Sequence, residues 1–98
     1  MAEPLTSRQR ARARALAMNM APALQIGRQG LTDNAVKEIQ LALLRFEVIK
    51  LRVIAEDRDA RGALMAEIAA MTDSVLCGAT GSSAVYYRPS GKKIVSLD

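Results

Sequence analysis

Two glycines three residues apart, Gly27 and Gly30, bracket Arg28 and Gln29, and the sequence that follows opens a helix at Thr32. These residue types in this order have a definite chemistry. Glycines let a backbone turn sharply and come close to a ligand. The free N–H groups and the dipole at a helix start favour anions. The guanidinium of Arg28 offers a fork that fits phosphate. A loop so built can clamp a nucleic-acid backbone. A glycine pair between a strand and a helix also serves simply as a turn, and Asp33 in the first helical turn already answers the dipole. A second Gly-x-x-Gly, Gly78-Ala79-Thr80-Gly81, has no basic residue and leads into a strand. It reads as a strand end and turn.

Little else in the chain can react. There is no histidine, and the single cysteine, Cys77, has no partner for a Cys-His pair. No cluster has metal-ligand spacing. Glu56, Asp57 and Asp59 sit beside Arg58 and Arg61 where a helix begins, an arrangement that serves helix-end electrostatics and solubility. Ser82 and Ser83 read as turn residues. The expectation is therefore a protein that is not an enzyme, with no metal, cofactor or small-molecule substrate.

The charge points elsewhere. The chain of 98 residues has a formal net charge of +4 and a pI near 9.7. The whole excess lies in residues 1–30, where Arg8, Arg10, Arg12, Arg14 and Arg28 face one acid, Glu3. Concentrated positive charge steers polyanions and gains affinity by counterion release. Arg8/Arg12 and Arg10/Arg14 are i, i+4 pairs on opposite flanks of an apolar stripe, so at most one pair faces the same ligand as the rest of the protein. Lys50 and Arg52 share a face of one strand and are exposed if no helix covers it. Arg88, Lys92 and Lys93 follow the last strand. Tyr86 and Tyr87 point to opposite faces, one available for base stacking and the other for the core. No apolar run approaches the ~20 residues of a membrane span. A signal peptide is not expected, and one lone thiol suits the cytosol.

Elements that could position these groups follow from capping and periodicity. A capping box, Thr6-Ser7-Arg8-Gln9, opens a first helix running to about Met18, with Leu5, Ala13, Leu16 and Met20 facing the core. Ala23 to Ile26 reads as a short strand. Thr32 caps a second helix to about Arg45, with Val36, Ile39, Leu43 and Leu44 inward. Val48 to Val53 alternates as a strand. A third helix runs from about Asp59 to Met71, with Leu64, Ile68 and Met71 buried. Leu76 to Thr80 and Ser83 to Arg88 form a hairpin through Gly81-Ser82, a type II′ turn with glycine first. The order α-β-α-β-α-β-β implies an α/β (α+β-like) fold, a four-stranded mixed sheet with helices chiefly on one face. Residues 1–98 form one domain, with 1–4 and 91–98 expected to be loose tails, docking of the apolar pair Ile94-Val95 staying open.

Several of these segments match a known pattern in order. They are Leu5-Thr6-Ser7-Arg8-Gln9-Arg10, Ile26-Gly27-Arg28-Gln29-Gly30-Leu31-Thr32 after Pro22, Glu47-Val48-Ile49-Lys50-Leu51, and Val85-Tyr86-Tyr87-Arg88-Pro89. The chain resembles the CRM (chloroplast RNA splicing and ribosome maturation) domain in its stand-alone bacterial, YhbY-type form. The resemblance implies a fold like the C-terminal domain of translation initiation factor three. It implies binding to ribosomal RNA of the large-subunit precursor. It places the contact at Gly27, Arg28, Gln29 and Gly30, supported by Lys50, Arg88 and the helix-one arginines. Two positions depart from the family, where histidine is common: Asn19 near the end of helix one, and Phe46. From charge alone, a protein-interaction module whose Arg-rich first helix docks on an acidic partner stays open, as does binding to single-stranded DNA.

Overall fold

A computed structural model describes residues 4–98 of the chain. It has three helices and four strands: α1 (Ser7–Ala17), β1 (Leu24–Ile26), α2 (Asp33–Phe46), β2 (Val48–Val53), α3 (Arg58–Thr72), β3 (Val75–Thr80) and β4 (Ser83–Tyr87). The expected capping box is present, with Thr6 accepting from Gln9 N–H and Gln9 answering Thr6 N–H, both at 3.0 Å. Thr32 caps α2 and Asp57 caps α3 by the side chain alone, accepting from the N–H of Ala35 and of Ala60. The Gly81-Ser82 turn has its positive φ at Gly81 and none at Ser82, as a type II′ turn requires.

The sheet runs β1-β2-β4-β3. β1 is parallel to β2, and β4 is antiparallel to both β2 and β3. The last strand thus inserts between β2 and β3, which are not neighbours as two successive strand–helix–strand units would suggest. α2 and α3 cover one face, over Ile39, Leu43, Ile49, Leu51, Met65, Ile68 and Tyr86. α1 covers part of the other, where Ala13 and Ala17 meet Val48, Cys77 and Val85. Alanines let this helix lie close to the sheet. Two predicted core residues point outward instead: Leu44 and Met71 are 46% and 54% exposed. The α3 stripe is rotated onto Met65, Ile68 and Thr72. Thr72 can take that buried place because its hydroxyl donates to Ile68 O at 2.7 Å.

One arginine pins α1 to β3. The register of β3 shifts between Leu76 and Gly78, leaving Cys77 in a bulge. Arg14 Nη1 donates to Cys77 O at 2.8 Å. Its aliphatic stem lies where a side chain on residue 78 would stand, with Cγ 3.1 Å from the position of a Cβ there. Glycine at 78 is what admits the stem. Burial pushes the Cys77 thiol up to about 11, against the pull of Arg10 and Arg14, which keeps it protonated and inert.

The C-terminal tail is anchored where 91–98 is expected to be loose, and of the two alternatives for Ile94-Val95 it takes the docked one. Of the other expected loose stretch, residues 1–3 lie outside the described residues. Glu47 is 1% exposed. Its Oε2 accepts from the Ser90 N–H at 2.7 Å and hydroxyl at 2.8 Å, and its Oε1 accepts from Val95 N–H at 2.9 Å. Leu97 is then buried in the α1 cluster, and Gln9 donates to Asp98. A carboxylate and the tail it holds lie 43 to 48 residues apart in sequence, so periodicity carries no sign of the contact.

Two outcomes test these contacts. Desolvation raises the Glu47 pKa, but hydrogen bonds from Ser90, Val95 and Ile94 outweigh it and leave the pKa lowered. Its stabilisation is therefore present above the unfolded carboxylate range and is lost as pH falls through the lower folded value. Glu47→Gln should cost about 1.5–3 kcal/mol at neutral pH, with the gap to wild type closing in acid, as read by urea unfolding across pH. Gly78→Ala should destabilise by about 1–3 kcal/mol. In an Arg14→Ala background the same change should cost clearly less, which a double-mutant cycle measures.

Candidate nucleic-acid interface

The Gly27–Gly30 segment is a closed turn, with Gly30 N–H donating to Gly27 O at 2.9 Å. Gly30 has φ +70, and this conformation favours glycine. Gly27 has no such requirement, and a Cβ there would meet nothing within 4 Å. Arg28 and Gln29 form the exposed tip. The turn closes the end of β1 and leads through Leu31 to the α2 cap. α3 starts at the same end of the sheet, after β2, and the β3–β4 turn lies there too, with Val53 N–H donating to Ser82 O at 2.7 Å.

The other predicted site residues divide sharply. Arg52 is exposed at the loop end, and its register partner on β1 is Gln25. Lys50 lies one step further back on the same face, half-buried, with Nζ donating to Met18 O at 3.3 Å at the end of α1. Arg8 and Arg12 are exposed and have no partner among the described residues. Arg10 is folded onto its own helix start, bonding Leu5 O at 2.9 Å and Ser7 Oγ at 3.2 Å. Arg14 is committed to Cys77 O. Of the two arginine pairs, then, Arg8/Arg12 is the one left free, and Arg10/Arg14 holds the fold.

Arg88 does not join the loop. Tyr87 pairs with Val48 at the start of β2, so Arg88 lies at the opposite end of the sheet. There it donates to Thr72 O at 3.3 Å, answering a carbonyl at the end of α3. Its grouping with the loop by motif is corrected by the register. Neither tyrosine is a free stacking platform. Tyr86 is fully buried, with its hydroxyl donating to Met65 O at 2.8 Å, and Tyr87 is half-buried in the α1 cluster with Leu5 and Val95. Gln25 was missed as a neighbour of the loop. The signal was its outward place in the alternating strand Leu24-Gln25-Ile26.

Among the described residues no group of acids and Cys77 could hold a metal ion. What the loop end can do is donate hydrogen bonds and positive charge to an anionic chain. Known proteins agree in shape and sequence. The chain is 32% identical over 88 residues to a "probable RNA-binding protein" of Pseudomonas aeruginosa, covering 90% of this chain and 85% of that one. It is 30% identical over 93 residues to an RNA-binding protein of Haemophilus influenzae, covering 95% and 94%. The solution structure of a hypothetical protein from Staphylococcus aureus superposes with a TM-score of 0.79 at 36% identity, over 89% of this chain and 91% of that one. Residues 5–88 match the CRS1 / YhbY (CRM) domain, and the chain belongs to that family.

Proposed function

We propose that this protein is a non-catalytic, cytoplasmic RNA-binding protein that engages ribosomal RNA through the Gly27–Gly30 turn and acts in assembly of the large ribosomal subunit. The observation that carries the reading is the turn itself: an exposed tip with Arg28, at the start of a capped helix, in a chain whose relatives are named for RNA binding. Arg28 and the turn's amides hold a phosphate. Arg52, Arg8 and Arg12 add attraction, because they have no competing partner among the described residues. Association is driven by counterion release.

The test is a titration of labelled large-subunit ribosomal RNA with wild type and Arg28→Ala, at two salt concentrations, with single-stranded DNA as competitor. Wild-type affinity should fall steeply with salt and resist the DNA. Arg28→Ala should bind about tenfold more weakly, the worth of one charge-assisted hydrogen bond, and lower the salt slope by about one. Equal binding by the two proteins would reduce the loop to a turn and move the site to Arg8 and Arg12. Failure of both to bind RNA would sink the proposal and favour an acidic protein partner.

A further inference from the structure

A strand held at the Gly27–Gly30 turn can leave it in three directions, and the charges beside them differ. Toward α2, the groove along β1 contains Glu38. Toward α3, the groove contains Glu56, and with Asp57 and Asp59 it outweighs Arg58 and Arg61 at the helix start. The third direction crosses the loop end of the sheet, on the face that α1 occupies farther back. Register sets Gln25 beside Arg52, Arg52 beside Ser83, and Ser83 beside Thr80. These four residues make one polar row across all four strands. Neighbouring strands lie ~4.8 Å apart, so the row is about 14 Å long. Gln25, Arg52 and Thr80 are exposed and Ser83 is partly so. Lys50 follows Arg52 on the same face. Neither the four strands nor α1 contains an acidic residue.

The aromatic residues limit what this surface can recognise. The chain has three: Phe46, Tyr86 and Tyr87. Tyr86 is in the core, and Tyr87 packs half-buried against the cluster under α1. Phe46 ends α2, at the far end of the sheet, with Arg45 over its ring at 5.2 Å. No ring stands at the loop end to stack an unpaired base. Many readers of splayed single strands stack their bases on such rings. The row offers hydroxyls, an amide and a guanidinium, which suit ribose 2′-hydroxyls and phosphates. A-form helices display those groups across a wide, shallow minor groove.

We infer that the row Gln25–Arg52–Ser83–Thr80 is a second contact that grips the sugar–phosphate edge of double-helical RNA. The Gly27–Gly30 turn holds the backbone beside it. This names the kind of RNA the protein takes, and it rests on the RNA-binding reading above.

The test uses three labelled probes: an RNA duplex of about 16 base pairs, the span of a known duplex-binding domain, the DNA duplex of the same sequence, and an unpaired RNA of equal length. The proteins are wild type, Arg28→Ala and the double variant Gln25→Ala with Arg52→Gln, each checked for a native thermal transition. Both positions of the double variant are exposed, so folding should survive. Wild type should prefer the RNA duplex to the DNA duplex. The double variant should lose about tenfold on the RNA duplex, narrow the RNA-over-DNA preference, and lose clearly less on the unpaired RNA. Arg28→Ala should weaken all three. An unchanged RNA-duplex affinity in the double variant overturns the inference, as does an equal loss on every probe, which would mark a general charge contact. Wild type that binds unpaired RNA but no duplex also overturns it, while leaving the RNA-binding reading intact. Binding to none of the probes takes down both.

Discussion

A single buried carboxylate fixes the end of the molecule away from the loop. Glu47 is the one residue between α2 and β2, and it turns the chain with φ +65. A residue with a side chain enters that region at a cost of about 1–3 kcal/mol. The surroundings hold it there. Its N–H closes the helix on Leu43 O, and its carbonyl accepts from Arg88 N–H. Its carboxylate takes the three donors of the tail. β2 therefore starts at a fixed place, and β2 is the strand against which both β1 and β4 are aligned. Where the turn and the polar row stand follows from that alignment.

The same economy sorts the arginines. A carbonyl withdrawn from water without a donor is costly, and three arginines answer part-buried ones: Arg10 on Leu5 O, Arg14 on Cys77 O, Arg88 on Thr72 O. Those contacts lie along α1 and at the far end of the sheet. Arg28 and Arg52 lie at the other end and have no such duty among the described residues. Net charge alone does not distinguish these groups. The fold does, by deciding which cations are already occupied.

Much of this was legible in the sequence where the signal is local. Thr6 and Gln9 declare a helix start because a capping box needs only four residues. Val48 to Val53 declares a strand because its alternation is undisturbed. The Gly27–Gly30 turn is equally local. What stayed hidden depends on distant partners. The apolar pair Ile94-Val95 leaves docking of the tail open, but nothing near it names Glu47 and α1 as what holds it. The helical period of α3 fits Met71 as well as Thr72, and a hydroxyl that finds Ile68 O decides between them. The motif that groups Arg88 with the loop is a statement about sequence order, and an antiparallel β4 carries that residue to the wrong end.

Helix electrostatics favour the sheet side of the turn over the helix side. α2 and α3 both begin at the loop end, so both direct positive dipole ends toward it. Each, however, carries its own acid in the first turn, Asp33 and Asp59, and α3 is capped by Asp57 besides. The dipoles are answered within the protein. α1 has no acid in its first turn, and the negative end it presents near the open sheet is met by Lys50 at Met18 O. Arg52, beside it, remains unanswered among the described residues. An anionic chain arriving at the turn thus meets compensated charge over the helices and uncompensated charge over the strands. The field favours the strands, whichever bases the chain carries.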